Sequence, residues 1–224
     1  MTHPFRGTPI TSASLIVQQP QGLASGLVLR MHGVGSSPQS MLGVACWFAA
    51  RDANALVVSV ASPEPSDVSN GLQWFSVRGV TEQNRQARVN GAMPAFVATV
   101  QHWQQVAGVD PQHTVVAGFS QGAIMALELT LLEHPNVMRV VSFAGRFANL
   151  PERKSEATVH LVHGSVDPVM PSMLAQVANA RLLELGTEVT VDIVQAVGHE
   201  PHPTLLKRLT ARLDSQGPGA GRLG

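Results

Sequence analysis

Seven short runs of aliphatic and β-branched residues recur along the chain, at 14–18, 26–31, 55–61, 113–119, 137–143, 157–163 and 187–195. This recurrence constrains the fold more than any other feature. Several runs, such as Leu56-Val57-Val58 and Val115-Val116-Ala117, are continuous rather than alternating. A strand with one wet face alternates apolar and polar residues, whereas a continuous apolar strand is covered on both faces, as in a parallel sheet. Helical patterns lie between the runs. Val89, Met93, Phe96, Val97, Val100 and Trp103 share one helix face. Pro94 inside that pattern predicts a kink or a new first turn. Segments 38–50, 122–134, 171–185 and 201–213 also read as helices, with Pro38, Pro171 and Pro201 where a first turn tolerates proline. The alternation predicts an α/β fold, a mostly parallel sheet with helices on both faces.

A chain of 224 residues suits one domain. We assign 1–214 to it, and 215–224, which is Gly-rich and lacks an apolar period, to a flexible tail. Fifteen Lys plus Arg balance fifteen Asp plus Glu, so no net field draws the chain to nucleic acid or an anionic membrane. Cys46 is the only cysteine, which excludes an internal disulfide and a Cys-based zinc cluster. It lies beside Trp47 and Phe48 in an apolar helical pattern and is expected to be buried. His160 and His163 are three apart in a strand and face opposite sides. His199-Glu200-Pro201-His202 is not a metal-binding H-E-x-x-H, so neither metal nor cofactor is expected. No run of about 18 apolar residues occurs, and residues 1–18 lack a signal-peptide core. A cytoplasmic location is the expectation.

Gly118-Phe119-Ser120-Gln121-Gly122 is a G-x-S-x-G sequence between a predicted strand and a predicted helix. That context is what a nucleophile elbow requires. The turn strains the serine backbone, and side chains at Gly118 and Gly122 would collide with neighbouring elements. A plain turn with Ser120 as helix N-cap is the competing reading. A serine hydroxyl needs a base, and the base an orienting acid. In this fold they follow in the order serine, acid, histidine, each after a strand. Asp167 and His199 occupy those places. Asp192 lies mid-strand, Glu200 is a further rival acid, and His202 falls in a first helical turn. For the oxyanion, the loop His32-Gly33-Val34-Gly35-Ser36-Ser37-Pro38 follows an early strand. We expect the backbone N–H groups of Val34 and Gln121 to be the donors, with His32 buttressing the loop.

The set H-G-x-G-S, G-F-S-Q-G, H-G-x-x-D-P-V-x-P and G-H resembles the phospholipase/carboxylesterase branch of the α/β-hydrolases, which includes the acyl-protein thioesterases and small bacterial serine esterases. The resemblance runs from about residue 26 to residue 213. It implies a single-domain α/β-hydrolase fold with Ser120, Asp167 and His199 as triad and Val34 and Gln121 as oxyanion donors. Members often carry R-x-W-F-D, where this chain has Leu72-Gln73-Trp74-Phe75-Ser76. Trp74 and Phe75 are therefore candidates to line the acyl site, with core packing as the alternative.

The expected activity is hydrolysis of a small-molecule carboxylic ester or thioester through an acyl-enzyme. An inactive hydrolase-fold binding protein would lack a triad member, and none is missing. A peptidase or amidase of this fold would usually bring a second domain. The gap from 144 to 156 is too short for a cap domain, which predicts an open site with an exposed Ser120. The low charged fraction of 13% fits either an apolar acyl site or a homodimer face.

Overall fold

A seven-stranded sheet runs through the computed structural model, which describes residues 13–215. Its strands are β1 (Leu15–Gln18), β2 (Gly26–Met31), β3 (Ala55–Val60), β6 (Thr114–Phe119), β7 (Arg139–Phe143), β8 (Thr158–Gly164) and β9 (Val189–Val194); a separate two-stranded ribbon comprises β4 (Glu64–Pro65) and β5 (Leu72–Gln73). The order is β1-β3-β2-β6-β7-β8-β9, and every pairing is parallel except that of β1 with β3. The expected mostly parallel sheet is therefore present.

The helices are α1 (Leu42–Ala49), α2 (Glu82–Ala107), α3 (Gln121–Leu129), α4 (Met173–Glu184) and α5 (Pro203–Ser215). Side-chain alternation along the strands separates two cores. Leu27, Leu29, Met31, Val116, Val140 and Val159 pack with residues of α2, α3 and α4. Val28, Val57, Val115, Ala117, Val141 and Val162 pack with residues of α1 and α5 on the other face. Every residue of α3 is buried, as an all-round apolar helix behind the elbow requires.

Several boundaries differ from expectation for identifiable reasons. Segment 38–50 divides into a 3-10 turn, Pro38–Met41, and α1. Residues Pro111–His113 form another 3-10 turn capped by the Asp110 carboxylate, so β6 begins at Thr114. α2 continues through Pro94 as one helix of 26 residues. Its buried stripe from Val89 to Ala107 supplies the packing that offsets the missing N–H. Cys46 is exposed, not buried. Met41, Val44, Ala45 and Phe48 take the inward face of that segment, and Cys46 projects from the other side. Ser215 closes α5, and the rest of the expected tail, 216–224, lies outside the described residues, as do residues 1–12 of the assigned domain.

The chain between β7 and β8 contains neither helix nor strand, so no cap domain is inserted there. Among the described residues no helix is long and apolar enough to cross a membrane.

Candidate active site

Ser120 is the single residue between β6 and α3. Its backbone has φ 53° and ψ −117°, a left-handed conformation that costs a non-glycine residue of order 1–3 kcal/mol. Its N–H donates to the Phe143 carbonyl at 3.0 Å, and its carbonyl accepts from Ala123 and Ile124, each at 3.0 Å. The flanking glycines are sterically required. A Cβ on Gly118 would lie 2.4 Å from the Ala123 nitrogen, and one on Gly122 would lie 2.4 Å from the Met31 carbonyl oxygen.

Three side chains from the ends of three strands converge here. The Ser120 hydroxyl is 2.9 Å from His199 Nε2, and His199 Nδ1 is 2.7 Å from Asp167 Oδ2. With the carboxylate ionised, Nδ1–H donates to Asp167 and Nε2 accepts from the serine. The Asp167 side chain is fully buried. Its Oδ1 accepts from the Val169 and Met170 N–H groups, both at 2.8 Å. Burial pushes this carboxyl up. The hydrogen bonds from His199, Met170 and Val169 more than offset that push, and the group lies below the usual carboxylate range.

The acid and base loops hold one another. The Val166 N–H donates to the Val197 carbonyl at 3.1 Å, and the Ala196 N–H donates to Ser165 Oγ at 3.1 Å. Ala196 turns the base loop with φ 59°. His163, which sequence reasoning left without a role, donates from Nε2 to the Met170 carbonyl at 2.7 Å and lies 3.3 Å from Asp167 Oδ2. Burial keeps its imidazole below the ordinary value and hence neutral. Its position four residues before Asp167 at the end of a strand was the available signal.

Gly35, with φ 74°, turns the loop after β2. Its N–H donates to Leu72 and Leu72 donates back to Ser36, at 2.8 and 2.7 Å. The loop passes close to the serine: a Cβ on Gly33 would lie 3.2 Å from Ser120 Cβ. The Val34 N–H has no protein acceptor among the described residues. Gln121 is the first residue of α3, so its N–H has no intrahelical acceptor. His32 is fully buried; its Nδ1 donates to Gly33 O at 2.8 Å and its Nε2 accepts from Ser62 N at 3.2 Å.

The side chain of Gln121 has a role that sequence reasoning missed. Its Oε1 accepts from the Trp74 N–H at 2.8 Å and its Nε2 donates to the Phe75 carbonyl at 2.7 Å. It thereby pins the 73–76 loop to the elbow. The two aromatic candidates separate. Trp74 packs edge-on against Phe96 in the core, its indole N–H bonded to the His32 carbonyl. Phe75 lines a cavity of about 420 Å³ together with Val34, Ser120, Gln121, Ile124 and Met170. Ser120 is only 5% exposed at the floor of this cavity, which overturns the expectation of an open serine. The walls come from loops and from the first turns of α2, α3 and α4.

The rival residues are occupied elsewhere. His202 Nδ1 bonds Thr204 Oγ1 at 2.7 Å, and Asp192 pairs with Arg212 of α5 at 2.8 Å. Glu200 is exposed.

Residues 12–215 match the model of the Phospholipase/Carboxylesterase family, and the chain belongs to that family. Over 185 residues it is 49% identical to Esterase YpfH of Escherichia coli (strain K12), covering 82% of this chain and 80% of that protein. The crystal structure of esterase PE8 superposes with a TM-score of 0.80 at 26% identity, covering 93% of this chain and 99% of the other. The Bacillus cereus carboxylesterase shares the fold at 16% identity, with a TM-score of 0.76 over 91% and 94% of the two chains. The class is thus that of carboxylesterase-type hydrolases with an α/β-hydrolase fold.

Proposed function

We propose that the chain hydrolyses carboxylic esters, thioesters among them, by way of an acyl-enzyme on Ser120. One observation carries this reading: the unbroken hydrogen-bond chain Ser120–His199–Asp167, at 2.9 and 2.7 Å, ending on a serine held in a strained turn. His199 Nε2 takes the hydroxyl proton as Oγ attacks the acyl carbon. Asp167 holds the imidazole in the required tautomer and stabilises the imidazolium. The Val34 and Gln121 N–H groups, both without protein acceptors among the described residues, receive the developing oxyanion. His199 then protonates the leaving alcohol or thiol, and activates a water that releases the acid.

A fluorophosphonate probe tests the reading directly. We expect one covalent adduct on Ser120 and none on Ser120→Ala. A folded wild-type protein that takes up no label would overturn it. Loss of p-nitrophenyl ester turnover in His202→Ala, with retention in His199→Ala, would reassign the base.

A further inference from the structure

Beyond the serine, the cavity is not uniformly apolar. Phe75, Val77, Val80, Ile124 and Leu174 form greasy walls, and the charged residues among its lining are Glu82, Arg85 and Arg146. Glu82 and Arg85 belong to the first turn of α2, and Arg146 to the loop after β7. Arg146 forks onto Glu82, Nη1 to Oε1 at 3.1 Å and Nη2 to Oε2 at 2.8 Å, while its Nε donates to the Phe147 carbonyl. Arg85 Nη1 lies 2.6 Å from Glu82 Oε1.

Two guanidinium groups therefore share one carboxylate, and the cluster has a surplus positive charge. Exposure is unequal as well: the Arg85 and Arg146 side chains are 15% and 18% exposed, whereas Glu82 is 63% exposed. All three line the cavity, the two cations largely covered and the carboxylate largely exposed. Surplus positive charge on the wall of an apolar pocket is less screened than the same charge at a surface. A guanidinium also offers a planar fork that matches a carboxylate.

We propose that this wall recognises a carboxylate carried by the substrate itself, so that the preferred esters are short ones with an anionic end. The inference rests on the esterase reading of Ser120 and deepens it. Arg85 and Arg146 are specificity determinants, and Glu82 is an internal stand-in for the substrate carboxylate when the cavity is empty.

The test compares kcat/KM for matched pairs, with released acid followed by titration. Monoethyl esters of linear dicarboxylic acids are set against ethyl esters of the monocarboxylic acids of equal length, which places the charge on the acyl side. Acetyl esters of hydroxy acids against those of the corresponding alcohols place it on the alcohol side. We expect the anionic member to be preferred in one series, and that series identifies which half of the ester fills the cavity. Arg85→Gln and Arg146→Gln should each lower the anionic-to-neutral ratio by about tenfold or more, as loss of a hydrogen bond to a charged group does. Glu82→Gln, which removes the internal competitor, should raise it.

A wild-type ratio at or below one in both series overturns the inference without any variant. A ratio unchanged in every folded variant also overturns it, and leaves the cluster as a clamp between α2 and the loop after β7. If no ester of either kind turns over and Ser120 takes no label, the esterase reading itself has failed. Equal turnover of charged and neutral esters defeats only the present inference.

Discussion

Two histidine–aspartate pairs in this molecule have the same contact distance and opposite surroundings. His199 Nδ1 lies 2.7 Å from Asp167 Oδ2, and His113 Nδ1 lies 2.7 Å from Asp110 Oδ1. The first carboxylate is fully buried and its histidine 15% exposed, while the second pair is 58% and 46% exposed. His199 has a second partner, the Ser120 hydroxyl. Asp110 instead caps the 3-10 turn that contains His113. Distance alone therefore does not distinguish the two pairs. What differs is burial, which strengthens the electrostatics, and a serine hydroxyl on the far nitrogen, as the proposed mechanism requires.

The comparison can be broken at several points. The largest effect should come from Ser120→Ala or His199→Ala, each lowering ester kcat/KM by about 10⁶-fold, as in other triad enzymes. His113→Ala should leave it unchanged in the same assay. Asp167→Asn should cost about 10⁴-fold, because an amide partner stabilises the wrong imidazole tautomer. Asp110→Asn should cost nothing in turnover. A smaller loss, about tenfold in kcat, is expected for His163→Phe, which frees the Met170 carbonyl and loosens the acid loop.

Stability against pH sharpens the same contrast. The Asp167 carboxyl lies below its ordinary value in the folded protein, so the unfolded state binds the proton more readily. Its stabilising contribution is complete above the ordinary carboxylate range and is lost as pH falls through the lowered value. Denaturant unfolding of Asp167→Asn should accordingly show a shallower acid decline than the wild type. The smallest effect concerns salt. The His113 contact lowers the Asp110 carboxyl as well, but at the surface. Raising ionic strength to about 1 M should return Asp110 toward its ordinary value in an NMR titration while Asp167 stays low. Equal salt sensitivity of the two groups would show that burial does not separate them.

The architecture was largely legible in the sequence because strands buried on both faces must be continuously apolar. The 26–31 run matches β2 residue for residue, five of the other runs each contain one strand of the sheet, and the 157–163 run misses only Gly164 at the end of β8. Misreadings arose where periodicity carries no direction. Cys46 was expected to be buried with its apolar neighbours, yet a helix against a sheet has an outer side. Pro94 looked like a break, yet packing along the rest of α2 outweighs one lost hydrogen bond. The Gln121 amide and His163 escaped notice because their partners, Trp74 and Phe75 for one and Met170 for the other, are reached only through the fold.

The αβ alternation, the two glycines that an elbow cannot do without, and the chain order Ser120, Asp167, His199, each after a strand, are readable from the sequence. These are local properties: apolar periodicity, steric size at a tight turn, and chain order. The tertiary structure alone decided that Ser120 is covered although no cap domain is inserted between β7 and β8, that Phe75 rather than Trp74 faces the cavity, and that Glu82, Arg85 and Arg146 meet on its wall. Each depends on loops and helix ends far apart in the chain meeting beyond the C-terminal ends of the strands, and burial and charge pairing between such segments are set by distances in space.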